Sequence, residues 1–194
     1  MSNHNTNIVI TTPRLLLCEY AEADFEGVHA YARDPETVRF MTWGPNQPDQ
    51  TRAFIQMAIS HQTLDPRVDY HFVVRLRSTK RIIGGCGIHI RRPDHRGAEV
   101  GYCFNRQFWG QGYATETMGA LLKFGFLELK LHRIIATCDP RNIGSERVMQ
   151  KNGLRKEAHF IQELWQRNKW RDSLLYAILE HEWKTNIQET IPIP

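Results

Sequence analysis

The chain has 194 residues, 25 Lys+Arg against 21 Asp+Glu for a net charge of +4, 41% hydrophobic residues and 24% charged ones. This composition supplies a core and excludes disorder as the main state, and the length suits one domain. No apolar run approaches the ~18 residues that cross a bilayer, and the N-terminus lacks a charged start followed by an apolar stretch, so a cytoplasmic chain without a membrane partner is expected.

In chain order, residues 8–20 read as an entry strand interrupted by Thr11-Thr12-Pro13. Residues 22–33 carry Phe25, Val28, His29 and Ala32 at helical spacing and stop at Asp34-Pro35, because the residue before a proline avoids the helical region. A second helix is expected over 51–61, with Phe54, Ile55, Ala58 and Ile59 on one stripe. Residues 70–76, 81–90 and 98–104 are short β-rich runs separated by turn residues, read as consecutive antiparallel strands. The longest helix is expected over 112–130, followed by a strand at 133–138 and a helix at 143–151 that Asn152-Gly153 terminates. Residues 154–164 and 174–183 form the arms of a final hairpin, and 1–7 and 185–194 are expected to be flexible termini around one domain at 8–184. The order β, two helices, three strands, helix, strand, helix, two strands points to a single α/β (α+β) domain on a mixed sheet with about four helices.

The four cysteines, Cys18, Cys86, Cys103 and Cys138, stand far apart in strand-like stretches without a CxxC pair, which favours buried thiols over a disulfide framework or a zinc site. The nine histidines show no HExxH pattern and no tight cluster, so no metal is expected. Positive charge is spread along the chain rather than concentrated, which argues against nucleic acid and is compatible with a ligand that carries phosphates. Arg75, Arg77, Lys80, Arg81, Arg91, Arg92 and Arg96 gather on what read as two neighbouring hairpin turns, a solvated rim or a dock for an acidic acceptor.

The stretch from Arg106 to Glu116 carries the chemistry. It lies between a strand and the head of the longest helix, and Gly110 and Gly112 let backbone approach a ligand at the positive end of a helix dipole, where N–H groups lack helical partners. A dinucleotide fingerprint needs a small residue where Thr115 stands, or glycine or alanine where Ile90 follows Gly85-Cys86-Gly87. A P-loop needs a Gly-Lys-Ser/Thr string that the chain does not contain.

Gln107-x-x-Gly110-x-Gly112, followed by Tyr113-Ala114, resembles the acetyl-CoA-binding signature of the GCN5-related N-acetyltransferase (GNAT) superfamily. Thr12-Pro13-Arg14-Leu15-Leu16-Leu17, Ile83-Gly84-Gly85, Glu99-Val100-Gly101-Tyr102 and Asn142-x-x-Ser145 ahead of Lys151-Asn152-Gly153-Leu154 resemble the RimJ/RimL branch, the ribosomal-protein alanine N-acetyltransferases. The resemblance implies a sheet, mostly antiparallel, that splays between its fourth and fifth strands, here 98–104 and 133–138. The pantetheine arm of acetyl-CoA lies in that gap against the main chain of Tyr102, Cys103 and Phe104. It also implies diphosphate binding by Gln107, Gly110, Gln111, Gly112, Tyr113 and Ala114, and pantetheine contacts from Asn142 and Ser145.

The implied reaction is attack of a primary amine on the acetyl thioester, with the oxyanion held by backbone N–H near Cys103. The amine is a protein N-terminal α-amine or a small-molecule amine. Glu99 is the candidate base at the head of its strand, or else a solvated strand-edge carboxylate. An ordinary carboxylate of pKa about 4.3 is a weak base, so the role asks for partial desolvation. Many members of the superfamily protonate the leaving thiolate from a tyrosine where this chain has Met149, which leaves Ser145 as the acid, or as a residue that merely helps cap the helix opened by Asn142. A route through an acetylated Cys103 is the minor mechanism, a non-catalytic acyl-CoA-binding module of the same fold is the competing class, and the final hairpin could form a homodimer.

Overall fold

A computed structural model describes residues 8–190; segment 1–7, expected to be flexible, and residues 191–194 lie outside them. The entry strand is two strands, β1 (Val9–Thr11) and β2 (Leu15–Glu19), because the chain folds back at Thr12-Pro13-Arg14 and pairs Val9 with Cys18. α1 (Phe25–Ala32) and α2 (Pro48–Ser60) follow. Then come β3 (Asp69–Leu76), β4 (Ile82–Arg92) and β5 (Gly97–Phe104), all antiparallel neighbours. α3 (Tyr113–Leu127) crosses to β6 (Arg133–Cys138), and α4 (Ile143–Lys151) leads into the hairpin β7 (Arg155–Gln166) and β8 (Lys169–Leu179).

The eight strands form one sheet in the order β1-β2-β3-β4-β5-β6-β8-β7, with β5–β6 as its parallel pair. That pairing runs only from Gly97–Arg133 to Glu99–Ile135 and then stops, so the expected splay is present. Splitting the entry strand moves it to the fifth and sixth strands. The last arm, expected to run to Trp183, ends at Leu179, and the chain turns into a fifth helix, α5 (Glu180–Thr190), whose Trp183 is buried against Phe126. This helix takes in part of the segment expected to fray. The two arginine-bearing turns, 77–81 and 93–96, lie at opposite ends of β4 rather than side by side.

Alternation along the strands assigns the two faces. Phe72, Val74, Cys86, Ile88, Val100 and Phe104 join α3 residues such as Met118 and Leu121 in the larger core. The opposite face carries Val73 and Cys103 under Tyr20, Val28, Tyr31, Ile55 and Ala58 of the α1/α2 layer. Among the described residues, no helix is long and apolar enough to cross a membrane.

Candidate active site

Gly110 and Gly112 take left-handed backbone conformations, φ +74° and +80°, and Gly112 caps α3. A Cβ at Gly110 would meet nothing within 4 Å, while one at Gly112 would come within 3.3 Å of Arg14 Nη2, so the turn is open at Gly110, just ahead of the first N–H groups of the helix, and that fits a diphosphate. Side chains brace the turn from outside. Gln111 Nε2 donates to Gln107 O at 3.2 Å, Arg81 donates to Gln107 Oε1 at 3.0 Å, and Trp109 Nε1 donates to Phe104 O at 2.6 Å.

Arg14 and Glu116, to which the sequence reading gave no role, tie this turn to the β1–β2 bend. Glu116 accepts from Thr12 Oγ1 at 2.6 Å, from Arg14 N at 2.8 Å and from Arg14 Nε at 2.6 Å. Arg14 also donates to Gln111 O at 2.9 Å and lies over the Tyr113 ring. Burial would raise the Glu116 carboxyl, but the Thr12 and Arg14 bonds outweigh it and hold the carboxyl below the usual 4.5. The Thr-Pro-Arg stretch therefore buttresses the head of α3, and a contact across 102 residues has no local sign in the sequence.

In the splay, Asn105 N donates to Ile83 O at 2.9 Å, which fixes the alternation of β5. Odd-numbered residues bond to β4, while Val100, Tyr102 and Phe104 turn their peptide groups toward the gap. Cys103 pairs with Gly85, so of the backbone N–H groups near it those of Tyr102 and Phe104 face the gap. Burial pushes the Cys103 thiol up to about 12, which keeps it out of the thiolate form.

Across the gap, Asn142 opens α4 and its Oδ1 accepts from Ser145 N at 3.2 Å, leaving Nδ2 for a ligand. Ser145 Oγ stands 2.9 Å from the Tyr102 hydroxyl, a partner that the sequence reading did not give it. Burial pushes Tyr102 up to about 12, so it stays protonated. Met149 is fully buried in the α3-side core and presents nothing to the gap. Glu99 stands where the gap opens: it is the last residue of β5 paired with β6, and its Oε1 accepts from Thr137 Oγ1 at 3.2 Å. Glu99, Tyr102, Thr137, Asn142 and Ser145 line a cavity of about 260 Å³ at the gap between β5 and β6, which the 40–42 loop and the final hairpin wall on its outer side.

A second cavity, about 530 Å³, lies on the α1/α2 face and meets the first at Met41, Gly101 and Tyr102. Gly85, Gly87 and Gly101 form its floor, and Tyr20, Tyr31, Phe54, Met41 and Trp43 supply its walls. The loop carrying Met41 and Trp43 is gripped by the tip of the final hairpin. Arg167 donates to the carbonyls of Val38, Arg39 and Gly44 at 2.8–3.0 Å, and Gln166 donates to Met41 O. His71 and His89 complete the walls, with His61 behind them at 3.3 Å from His71. The histidines do cluster, contrary to the sequence expectation, because antiparallel pairing carries residues far apart in the chain onto one face. Asp69, His71 and His89 place their donor atoms within 4.8 Å of one another.

Residues 14–155 match the acetyltransferase (GNAT) domain model. YnaD of Bacillus subtilis, described as an uncharacterized N-acetyltransferase, is 37% identical over 174 residues, spanning 90% of this chain and 98% of that protein. The crystal structure of a GNAT-family acetyltransferase from Bacillus anthracis, 36% identical, aligns with a TM-score of 0.80 over 90% of this chain and 99% of that one. RimL, a ribosomal L7/L12 α-N-protein acetyltransferase solved with coenzyme A, shares the fold at 18% identity, with a TM-score of 0.80 over 89% of this chain and 98% of its own. A helix-capping glycine turn, a splayed sheet and this kinship together place the chain among the GNAT acetyltransferases.

Proposed function

We propose that the chain moves an acetyl group from acetyl-CoA directly to a primary amine, a protein N-terminal α-amine or a small-molecule amine, while both substrates are bound. The observation that carries this reading is the meeting of two cavities at Gly101 and Tyr102, beside the point where β5 and β6 part. In this reading the diphosphate sits on the turn from Gln107 through Ala114, and pantetheine pairs with the peptide groups that β5 turns into the gap, a backbone recognition that asks for no particular side chain. Asn142 Nδ2 reaches the same arm.

Ser145 supplies the proton to the leaving sulfur, and Tyr102 stands behind it to replace that proton. This pair favours an enzyme over a binding module despite Met149. The protonated state of Cys103 supports direct transfer over a covalent intermediate. The ring-lined trough supports an acceptor whose amine is carried on an apolar or aromatic body. Four unpaired cysteines, three of them buried, support a reducing compartment such as the cytoplasm.

The test is release of CoA thiol from acetyl-CoA with a panel of primary amines and peptides bearing free N-termini. Release with at least one amine is expected, with Ser145→Ala about tenfold to a hundredfold slower in kcat. Tight CoA binding without release for any acceptor would contradict the reading.

A further inference from the structure

A proton must leave the attacking nitrogen, so its acceptor has to present a lone pair to the cavity that holds the amine. Glu99 lines the gap between β5 and β6 and not the glycine-floored trough, and its Oε1 is held by Thr137. His89, its cross-strand neighbour on β4, lines the trough itself.

The orientation of His89 is set from behind. Its Nδ1 is 2.8 Å from Asp69 Oδ1 on β3, the residue paired with it across the sheet. A carboxylate only accepts, so Nδ1 carries the hydrogen and Nε2 holds the lone pair. Nε2 lies over Gly87, 2.9 Å from where a Cβ would stand there, so the missing side chain is what admits the imidazole to the floor. Gly101, beside it on β5, leaves the adjoining space open toward the gap.

Burial keeps the ring neutral, while hydrogen bonding and positive charge keep the carboxylate ionised. Burial lowers His89 below its usual 6.5, Asp69 opposes that through its hydrogen bond, Arg91 adds to the lowering, and Glu99 raises it. Burial would raise Asp69, but the bond from His89 and the charge of Arg91, 3.2 Å away, outweigh it. His71 is pushed down to about 4 by burial and by the neighbouring His89 and His61, so it adds no charge beside the dyad at neutral pH.

We propose that His89 is the base of the transfer reaction and Asp69 its positioning residue, in place of the Glu99 expected from sequence; this rests on the acetyl-transfer reading above. The neutral amine forms the C–N bond to the thioester carbonyl, and the nitrogen then passes its proton to His89 Nε2. The tetrahedral carbon expels the sulfur as the C–S bond breaks, and the sulfur takes a proton from Ser145 as Tyr102 passes one to Ser145; solvent then reprotonates Tyr102 and takes the proton from His89. Asp69 stabilises the imidazolium that forms, as in other carboxylate–imidazole pairs.

The experiment compares His89→Gln, Asp69→Asn and Glu99→Gln in kcat/KM over pH 5–9 on the full chain with acetyl-CoA and an accepted amine. His89→Gln is expected to lose about a hundredfold or more with acceptor KM little changed, and to lose the acid limb that the wild type shows below pH 6.5. Asp69→Asn shifts that limb, and Glu99→Gln loses at least tenfold less than His89→Gln. If Glu99→Gln carries the loss instead, or His89→Gln keeps the wild-type rate and limb, the assignment is overturned. Proton-detected ¹⁵N spectra of the wild-type imidazoles read the same point without turnover: an Nδ1–H tautomer for His89 at pH 7.5 is expected, and an Nε2–H tautomer overturns the proposal. Absence of thiol release by the wild type with every amine would sink the acetyl-transfer reading and the base role with it, whereas release that persists undiminished in His89→Gln overturns the base role alone.

Discussion

In the proposed transfer, the turn at residues 107–114 and the trough on the α1/α2 face would hold the diphosphate and the acceptor by contrasting means. At residues 107–114 the chain offers backbone: two glycines with positive φ and the unpaired N–H groups of α3, all within one short stretch. On the α1/α2 face it offers rings and imidazoles drawn from β3, β4, β5, two helices and a loop that the β7–β8 tip holds in place. Backbone recognition suits a ligand that does not vary, while side chains on a glycine floor can be exchanged without disturbing the sheet. The contrast predicts that substitutions in one region leave the other substrate's binding intact.

The largest effect is expected from filling the floor where the two cavities meet. A Cβ at Gly101 meets nothing within 4 Å and Gly101 is exposed, so Gly101→Leu should fold with an unchanged Tm yet occupy the space of the attacking amine. Misplacement by about 1 Å costs on the order of a hundredfold, and a loss at least that large in kcat/KM for the acceptor is expected. Steady-state kinetics with circular dichroism melts check it.

A smaller effect should come from the diphosphate side. Arg14→Ala removes the brace on Gln111 O and Glu116, and should raise the KM for acetyl-CoA about tenfold, the size of one charge-assisted hydrogen bond, while the acceptor KM holds. A parallel rise in the acceptor KM would dissolve the separation between the two regions.

The smallest effect is on stability against pH. Folding lowers the Glu116 carboxyl below 4.5, so its stabilisation is full above that pH and is lost as the pH falls through the lowered folded value. Thermal melts of Glu116→Gln should therefore approach those of the wild type as the pH drops below 4.5, and a gap that stays constant would contradict the role given to Arg14 and Thr12.

The same contrast explains what the sequence made legible. The turn around Gly110 and Gly112, the long helix, and the Asn142–Ser145 cap are local, so spacing and residue type sufficed to place them. The histidine cluster was not, because His61, His71 and His89 meet only through the pairing of β3 with β4 and the packing of the turn after α2. Nor was the grip of Arg167 on the carbonyls of residues 38–44, which spans more than 120 residues. Tyr102 was read for its main chain alone, while its hydroxyl proves to be the partner of Ser145. The final strand starts five residues earlier than the expected 174–183 and ends four residues earlier, because apolar residues continue through Trp183, whose burial comes from a helix packed on α3 rather than from the sheet.

In the proposed transfer both substrates occupy their cavities together and meet at Gly101 and Tyr102. Initial-rate kinetics with acetyl-CoA and an accepted amine varied against each other distinguish this from a stepwise route. Intersecting double-reciprocal lines, with no acetyl group retained on the protein in intact-mass spectra, are predicted. Parallel lines together with an acetylated Cys103 would contradict it.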